Sequence, residues 1–203
     1  MSEQVFQFKV TLLGSNPSIW RQIQILDACT FWELHTAIQS AMGWQDCHLH
    51  DFRVINSHIN SNNNIRIGMP IDDDDKPAIL ASWDTKVYDY LTTNKVIEYV
   101  YDYGDHWLHE IKYEGIFPKL ASTKYPLCLA GENACPPDGC GGMQLYNALL
   151  QTLNDKNHPD HIDSLEFFGD KFAPNKFDIK QVKFKNPNIR LKKVQENIED
   201  WID

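Results

Sequence analysis

Ten consecutive residues, Tyr101-Asp102-Tyr103-Gly104-Asp105-His106-Trp107-Leu108-His109-Glu110, set two histidines, two aspartates, a glutamate and three aromatics around one glycine. Imidazoles and carboxylates at such spacing can ligate a metal, exchange protons or hold a charged ligand. Two further dense stretches accompany it: Trp44-Gln45-Asp46-Cys47-His48-Leu49-His50 and Cys135-Pro136-Pro137-Asp138-Gly139-Cys140-Gly141-Gly142. Read together, they predict a shared polar-aromatic groove built from Trp44, His48, His50, Asp102, Tyr103, Asp105, Trp107 and His109.

Two metal arrangements follow from the same residues. A catalytic metal needs about three protein ligands and an open position, and His50, Asp105 and His109 are the trio to expect. Zinc is the implied ion of a second, structural arrangement. Cys135 and Cys140 stand at the wide end of knuckle spacing, Cys128 lies upstream, and His158 and His161 lie downstream. The plainer readings are two satisfied histidines at a strand end, and a loop of reduced, packed thiols stiffened by Pro and Gly. Cys–His catalysis would pair one loop cysteine with His50 or His109. The chain lacks GxGxxG, a phosphate-binding Walker loop, GxSxG and HExxH.

The elements that must position these residues are legible in the periodicity. Phe6, Phe8, Val10 and Leu12 alternate with polar residues, as do Ile19, Arg21, Ile23 and Ile25, with Gly14-Ser15-Asn16-Pro17 between them. This predicts an antiparallel hairpin. Thr30 and Glu33 form a capping box that opens a helix with the stripe Phe31, Leu34, Ile38, Ala41 and Met42, closed by Gly43. Residues 48–55 read as a third strand, which puts His48 and His50 on one face.

Weak strands follow near 65–67 and 79–83, then a short helix or turn at 87–91. The runs Asn56–Asn64 and Asp72-Asp73-Asp74-Asp75 read as solvated loops. Residues 96–103 and 106–116 read as a hairpin turning at Gly104-Asp105. In it His109 shares a face with Trp107, Ile111 and Tyr113, while His106 falls on the other with Leu108 and Glu110. Residues 117–142 read as a loop. Helices are expected at 143–153, with Leu145, Leu149, Leu150 and Leu153 buried, at 160–168, and near 194–202.

The fold class is therefore α+β. A β-grasp-like core (strand, strand, helix, strand, then further antiparallel strands) precedes a helical C-terminal part, all in one domain over 1–203. Its parts are a mixed sheet and helix over 5–116, a Cys/Pro/Gly loop over 117–142 and helices over 143–203.

Composition narrows the function classes. The net charge is −9 over 203 residues, which opposes nucleic-acid binding over most of the surface. Lys180, Lys183, Lys185, Arg190, Lys192 and Lys193 cluster late in the chain and read as a solvated face. No stretch reaches the roughly 20 apolar residues of a membrane span. The N-terminus has no signal-peptide pattern, so the expected setting is cytoplasmic, with reduced cysteines.

The motifs Ile19-Trp20-Arg21, Leu34-His35-x2-Ile38-Gln39-x2-Met42-Gly43-Trp44, His48-Leu49-His50-x-Phe52, Tyr101-Asp102-Tyr103-Gly104-Asp105-x-Trp107-x-His109-Glu110 and Cys128-Leu129-x-Gly131-x3-Cys135-Pro136-Pro137-Asp138 occur together. In combination, over about residues 5–185, the chain resembles the plasmid open-reading-frame-three-like family, named from a root-inducing plasmid. The resemblance implies α+β architecture and an association with mobile elements. It implies no reaction. Some members carry a resolvase-like label, but this chain has only Arg21, Arg53, Arg66 and Arg190 as arginines. That is too few for a resolvase pocket and a basic DNA-reading helix. The leading expectation is a binding or interaction module for a protein or small molecule, with a metal-dependent hydrolase as the alternative.

Overall fold

The structure is a computed structural model that describes residues 3–56, 65–70, 78–91, 95–169 and 172–196. The expected hairpin forms from β1 (Gln4–Leu12) and β2 (Ile19–Leu26). Both predicted inward sets are buried, Arg21 included. Helix α1 (Phe31–Met42) starts on Thr30 with both halves of the capping box made, and ends on left-handed Gly43.

The chain then forms β3 (His50–Asn56), β4 (Ile65–Gly68), β5 (Ile79–Ala81), a single 3-10 turn over Val87–Tyr90, β6 (Lys95–Tyr101) and β7 (Trp107–Pro118). The Asn56–Asn64 run beyond its first residue, and the Asp72–Asp75 run, lie outside the described residues.

Among the described residues eight strands make one mixed sheet in the order β5-β4-β3-β6-β7-β1-β2-β8. The α+β class is as expected; the sheet order does not establish the finer β-grasp arrangement. After α1 the chain returns at β3, which pairs with β6 rather than with β1, so the β6–β7 hairpin separates them. The side-chain rows explain that order. Phe52, Tyr99, His109, Leu12 and Ile19 form one continuous cross-strand row on the α1 side. Large inward residues on β6 and β7 thus bridge the apolar faces of β3 and β1.

Residues 117–142 are not wholly a loop. They contain β8 (Leu127–Glu132), which closes the sheet edge against β2. Helix α2 (Gly142–Asn154) buries Tyr146 and Leu150, one turn apart, whereas Leu145 is half exposed. Tyr146 and Leu150 both enter the main core cluster, with Leu153 packed against it. Helix α3 (His161–Phe168) follows Pro159 and ends at Gly169. Helix α4 (Pro187–Glu196) begins earlier than its apolar content suggests, with Pro187 at its first position. The expected residues 197–202 lie outside the described part.

Nearly all of α1 is buried, Glu33 being the exception. One side packs on the sheet and the other lies under the C-terminal segment. Trp32 Nε1 donates to Pro187 O at 2.9 Å, and Lys185 N donates to Ser40 Oγ at 3.1 Å. Trp32, Met69 and Val194 make a second small core. The late basic cluster is therefore not uniformly solvated. Lys185 Nζ donates to Trp44 O and Gln45 O, and Arg190 turns inward.

Arg21 is the most unusual core residue. Its guanidinium donates to four carbonyls, those of Ala41, Trp20, Glu132 and Asn133, and lies 3.8 Å over the Phe177 ring. It ties β2 to β8 and to the carbonyl end of α1, where the helix dipole favours a cation. Gly131 leaves room for it: a Cβ there would stand 2.8 Å from Arg21 Cδ and 2.6 Å from Phe177 Cε1. Lysine cannot reproduce the planar fork. Arg21→Lys should cost about 2–4 kcal/mol, because carbonyls are left unpaired in the interior. Urea unfolding followed by circular dichroism measures this.

Candidate functional site

The three chemistry-bearing stretches meet in space, pinned by hydrogen bonds between their loops. Gln45 N donates to Asp138 Oδ2 at 2.9 Å, and Trp44 Nε1 donates to Pro136 O at 2.9 Å. Cys47 N donates to the Tyr101 hydroxyl at 3.2 Å, and that hydroxyl donates to Asp138 Oδ1 at 3.4 Å. Gly141 N donates to Asp105 Oδ2 at 3.1 Å. Asp102 caps the β6–β7 turn through the amides of Gly104 and Asp105, and its other oxygen lies 3.5 Å from His48 Nε2.

The junction depends on Gly142. Its φ is +83°, and a Cβ there would stand 2.6 Å from Asp105 O. Gly142→Ala should lower stability by about 2–4 kcal/mol through backbone strain and collision. The same change should expose Trp44, which is visible as a red shift in tryptophan emission.

Below this junction the expected groove is closed. Trp44, His50, Trp107 and His109 are buried. His50 stacks on His35 with centroids 3.5 Å apart and planes 7° apart, with Trp32 beside them. Trp44 packs among Tyr101, Trp107 and His109. These residues form a platform, and the exposed parts of the stretches form a rim above it. The rim comprises Gln45, Cys47, His48, Tyr103, Asp105, His106 and Asp138, all at least partly exposed.

A directed hydrogen-bond chain holds the platform. Gln39 Nε2 donates to the Tyr99 hydroxyl at 2.8 Å, and that hydroxyl meets His35 Nδ1 at 2.9 Å. His35 Nε2 meets Asp46 Oδ1 at 2.9 Å, and Arg190 Nε donates to Asp46 Oδ2 at 2.6 Å. With the His35 proton on Nε2, the Tyr99 hydroxyl donates to Nδ1 and each link of this chain runs from a donor to an acceptor.

Burial alone would raise the Asp46 pKa, but His35 and Arg190 outweigh it and hold the carboxyl well below its ordinary range. Burial, with the nearby His35, holds His50 well below the ordinary imidazole value. Burial also lowers His109 to about 4, against the pull of backbone hydrogen bonds. Among the described residues, both ring nitrogens of His50, Nε2 of His109, Nε1 of Trp107 and Oε1 of Gln39 are buried without a hydrogen-bond partner.

Neither metal arrangement is assembled. Among the described residues no three His, Cys, Asp or Glu side chains converge as a ligand set. His48 and His50 do not act together, because His48 precedes β3 and leans on Asp102 while His50 is sealed under α1. Of the trio, Asp105 faces Gly141 across the rim, whereas His50 and His109 stay inside on separate strands. Cys128 sits on β8. His158 and His161 bond the α2–α3 connection instead, through Asp160 N and Thr152 O.

The loop thiols are not poised for catalysis either. Burial raises the Cys128 and Cys135 thiols and pushes Cys140 up to about 12. The exposed cysteine is Cys47.

Sequence reasoning placed Trp107 and His109 on one inward face correctly, and His106 lies in the turn at φ +52°. It missed His35, Gln39, Asp46, Tyr99 and Arg190. His35 and Gln39 carried a signal, as large polar residues one turn apart and next to the apolar stripe residues Leu34 and Ile38. Arg190 carried none, since its partner Asp46 lies 144 residues away.

Comparisons with known proteins agree with this architecture. A protein of unknown function from Methanosarcina mazei Go1, MM3350, has a crystal structure that superposes with a TM-score of 0.82 at 36% identity, covering 91% of this chain and 100% of that one. The uncharacterized protein y4hQ of Sinorhizobium fredii (strain NBRC 101917 / NGR234) is 33% identical over 172 residues, 83% of each chain. The family model described as plasmid pRiA4b ORF-3-like protein matches residues 4–181. This chain belongs to the plasmid pRiA4b ORF-3-like protein family.

Proposed function

We propose that this protein is a binding module whose recognition surface is the three-loop rim. The observation that carries this reading is the convergence of distant loops, cross-pinned by hydrogen bonds from backbone amides to the carboxylates of Asp138 and Asp105 and to the Tyr101 hydroxyl, over a rigid aromatic platform. Loops held by a rigid scaffold are where binding residues concentrate. Asp105 and Asp138 place two carboxylates there, with Asp102 buried in the turn beneath them, in a chain of net charge −9. The partner of fitting chemistry is a cationic segment of another protein. His48, Tyr103 and His106 supply the polar-aromatic contacts.

A cytoplasmic setting belongs to this reading. All five cysteines are free, the usage of a reducing compartment, and no helix among the described residues is long and apolar enough to cross a membrane. The family's plasmid name motivates a role as an accessory protein of mobile elements.

Fluorescence anisotropy with labelled arginine-rich and glutamate-rich peptides tests the proposal. The arginine-rich peptide should bind, weaken steeply with salt, and weaken roughly tenfold in Asp105→Asn with His48→Ala. Preference for the acidic peptide, or equal binding by the variant, would overturn it.

A further inference from the structure

A second concavity lies away from the rim and has a different chemistry. Five carboxamides converge on it from three parts of the chain: Asn16 in the β1–β2 turn, Asn147, Gln151 and Asn154 on α2, and Asn175 after α3. The three on α2 are spaced i, i+4 and i+7, which places them on one helical face. Pro17, Pro174 and Leu150 complete the lining, so no charged side chain among the described residues lines the cavity, although 23% of the chain is charged.

Asn147 is fixed in place by donating from Nδ2 to Gly14 O at 3.2 Å. Its Oδ1 is buried without a hydrogen-bond partner among the described residues. A buried acceptor in that state calls for a donor. Gln151, Asn154, Asn16 and Asn175 are exposed at the mouth.

We infer that this cavity binds a neutral, hydroxyl-rich small molecule, of the chemistry of a single pyranose sugar. A carboxamide carries two donors and an acceptor without charge. A hydroxyl is donor and acceptor at once, so adjacent hydroxyls match a carboxamide without the desolvation cost of an ion. Ions find no countercharge among the described lining residues. The two prolines and Leu150 provide an apolar wall for the C–H face of a ring, the mixed lining usual for ligand sites. The volume of about 240 Å³ equals roughly eight water volumes, which suits one ring and not an extended chain. The site shares no residue with the rim, so it stands or falls independently of the proposed function.

Saturation-transfer-difference NMR on the full chain, with glucose, galactose, mannose and myo-inositol as separate probes, tests it. Capped glycine amide serves as a peptide-like competitor. At least one polyol should give transfer concentrated on its ring protons, with binding weakened at least about tenfold in Gln151→Leu with Asn175→Leu. These positions are exposed, and unchanged circular dichroism confirms the fold. No transfer to any of the four polyols would overturn the inference. So would binding that survives in the double variant, or stronger binding by the capped amide.

Discussion

Asp46→Ala is expected to lower the unfolding free energy by about 3–5 kcal/mol, the cost of removing one member of a buried ion pair. The side chain is about 1% exposed, and each oxygen has its own partner, His35 on one side and Arg190 on the other. Arg190 also donates to the Asp46 carbonyl. Truncation leaves a guanidinium and an imidazole facing an empty position, and it loosens α4 from α1. Part of the effect is backbone strain, since Asp46 sits at φ 65°, where alanine is disfavoured by roughly 1–2 kcal/mol.

Asp46→Asn separates the two contributions. Asparagine tolerates that φ but turns one acceptor into a donor, so it should cost less than alanine and more than the strain alone. In a double-mutant cycle, Asp46→Ala and Arg190→Ala should couple by about 1–3 kcal/mol. Urea denaturation reads all four proteins. Additive losses would show that the pair is not coupled in the folded state.

Acid should unfold the protein through its buried histidines. His109 has a folded pKa of about 4 against an ordinary 6.5. Between those values the unfolded chain binds a proton that the folded chain refuses. Stability is therefore full above about pH 6.5 and declines as the pH falls toward 4, by about 3 kcal/mol for this group alone. His50, lowered in the same direction by burial and by His35, steepens the decline. Asp46 acts in a lower window: its folded pKa lies below its ordinary 3.8, so its contribution persists above that value and is lost only as the pH falls beneath it. Urea midpoints at half-unit steps from pH 7.5 to 4.5 measure the slope. His109→Gln should flatten it by about one proton's worth, roughly 1.4 kcal/mol per pH unit. A wild-type profile that stays level to pH 4.5 would contradict the account.

Local physics made much of this legible beforehand. The alternation in β1 and β2, the Thr30–Glu33 capping box and the shared inward face of Trp107 and His109 are properties of a few neighbouring residues, and the structure has all three. Pairing order is not local. The position of β3 depends on how Phe52, Tyr99 and His109 stack across strands, which no single periodicity encodes. Strand β8 was hidden because its six residues sit among Pro, Gly and Cys and pair only at an edge.

The site divided in the same way. That the three motif stretches belong together was readable from their shared density of Asp, His and aromatic residues. Which members face outward was not. His50 and Trp107 look like groove residues by type, but His35 of α1 stacks on His50 and Trp44 packs on Trp107, and both are buried.

The central claim is that the buried histidines and tryptophans are a platform and that recognition happens on the rim above it. The most direct measurement is amide chemical-shift mapping, with the arginine-rich peptide titrated into uniformly 15N-labelled protein. The account predicts shifts concentrated at residues 45–48, 102–106 and 138–141, with His48 and Asp105 among the largest. Shifts centred on the open face of the sheet around Lys9, Trp20 and Lys112, with the three loops unmoved, would contradict it.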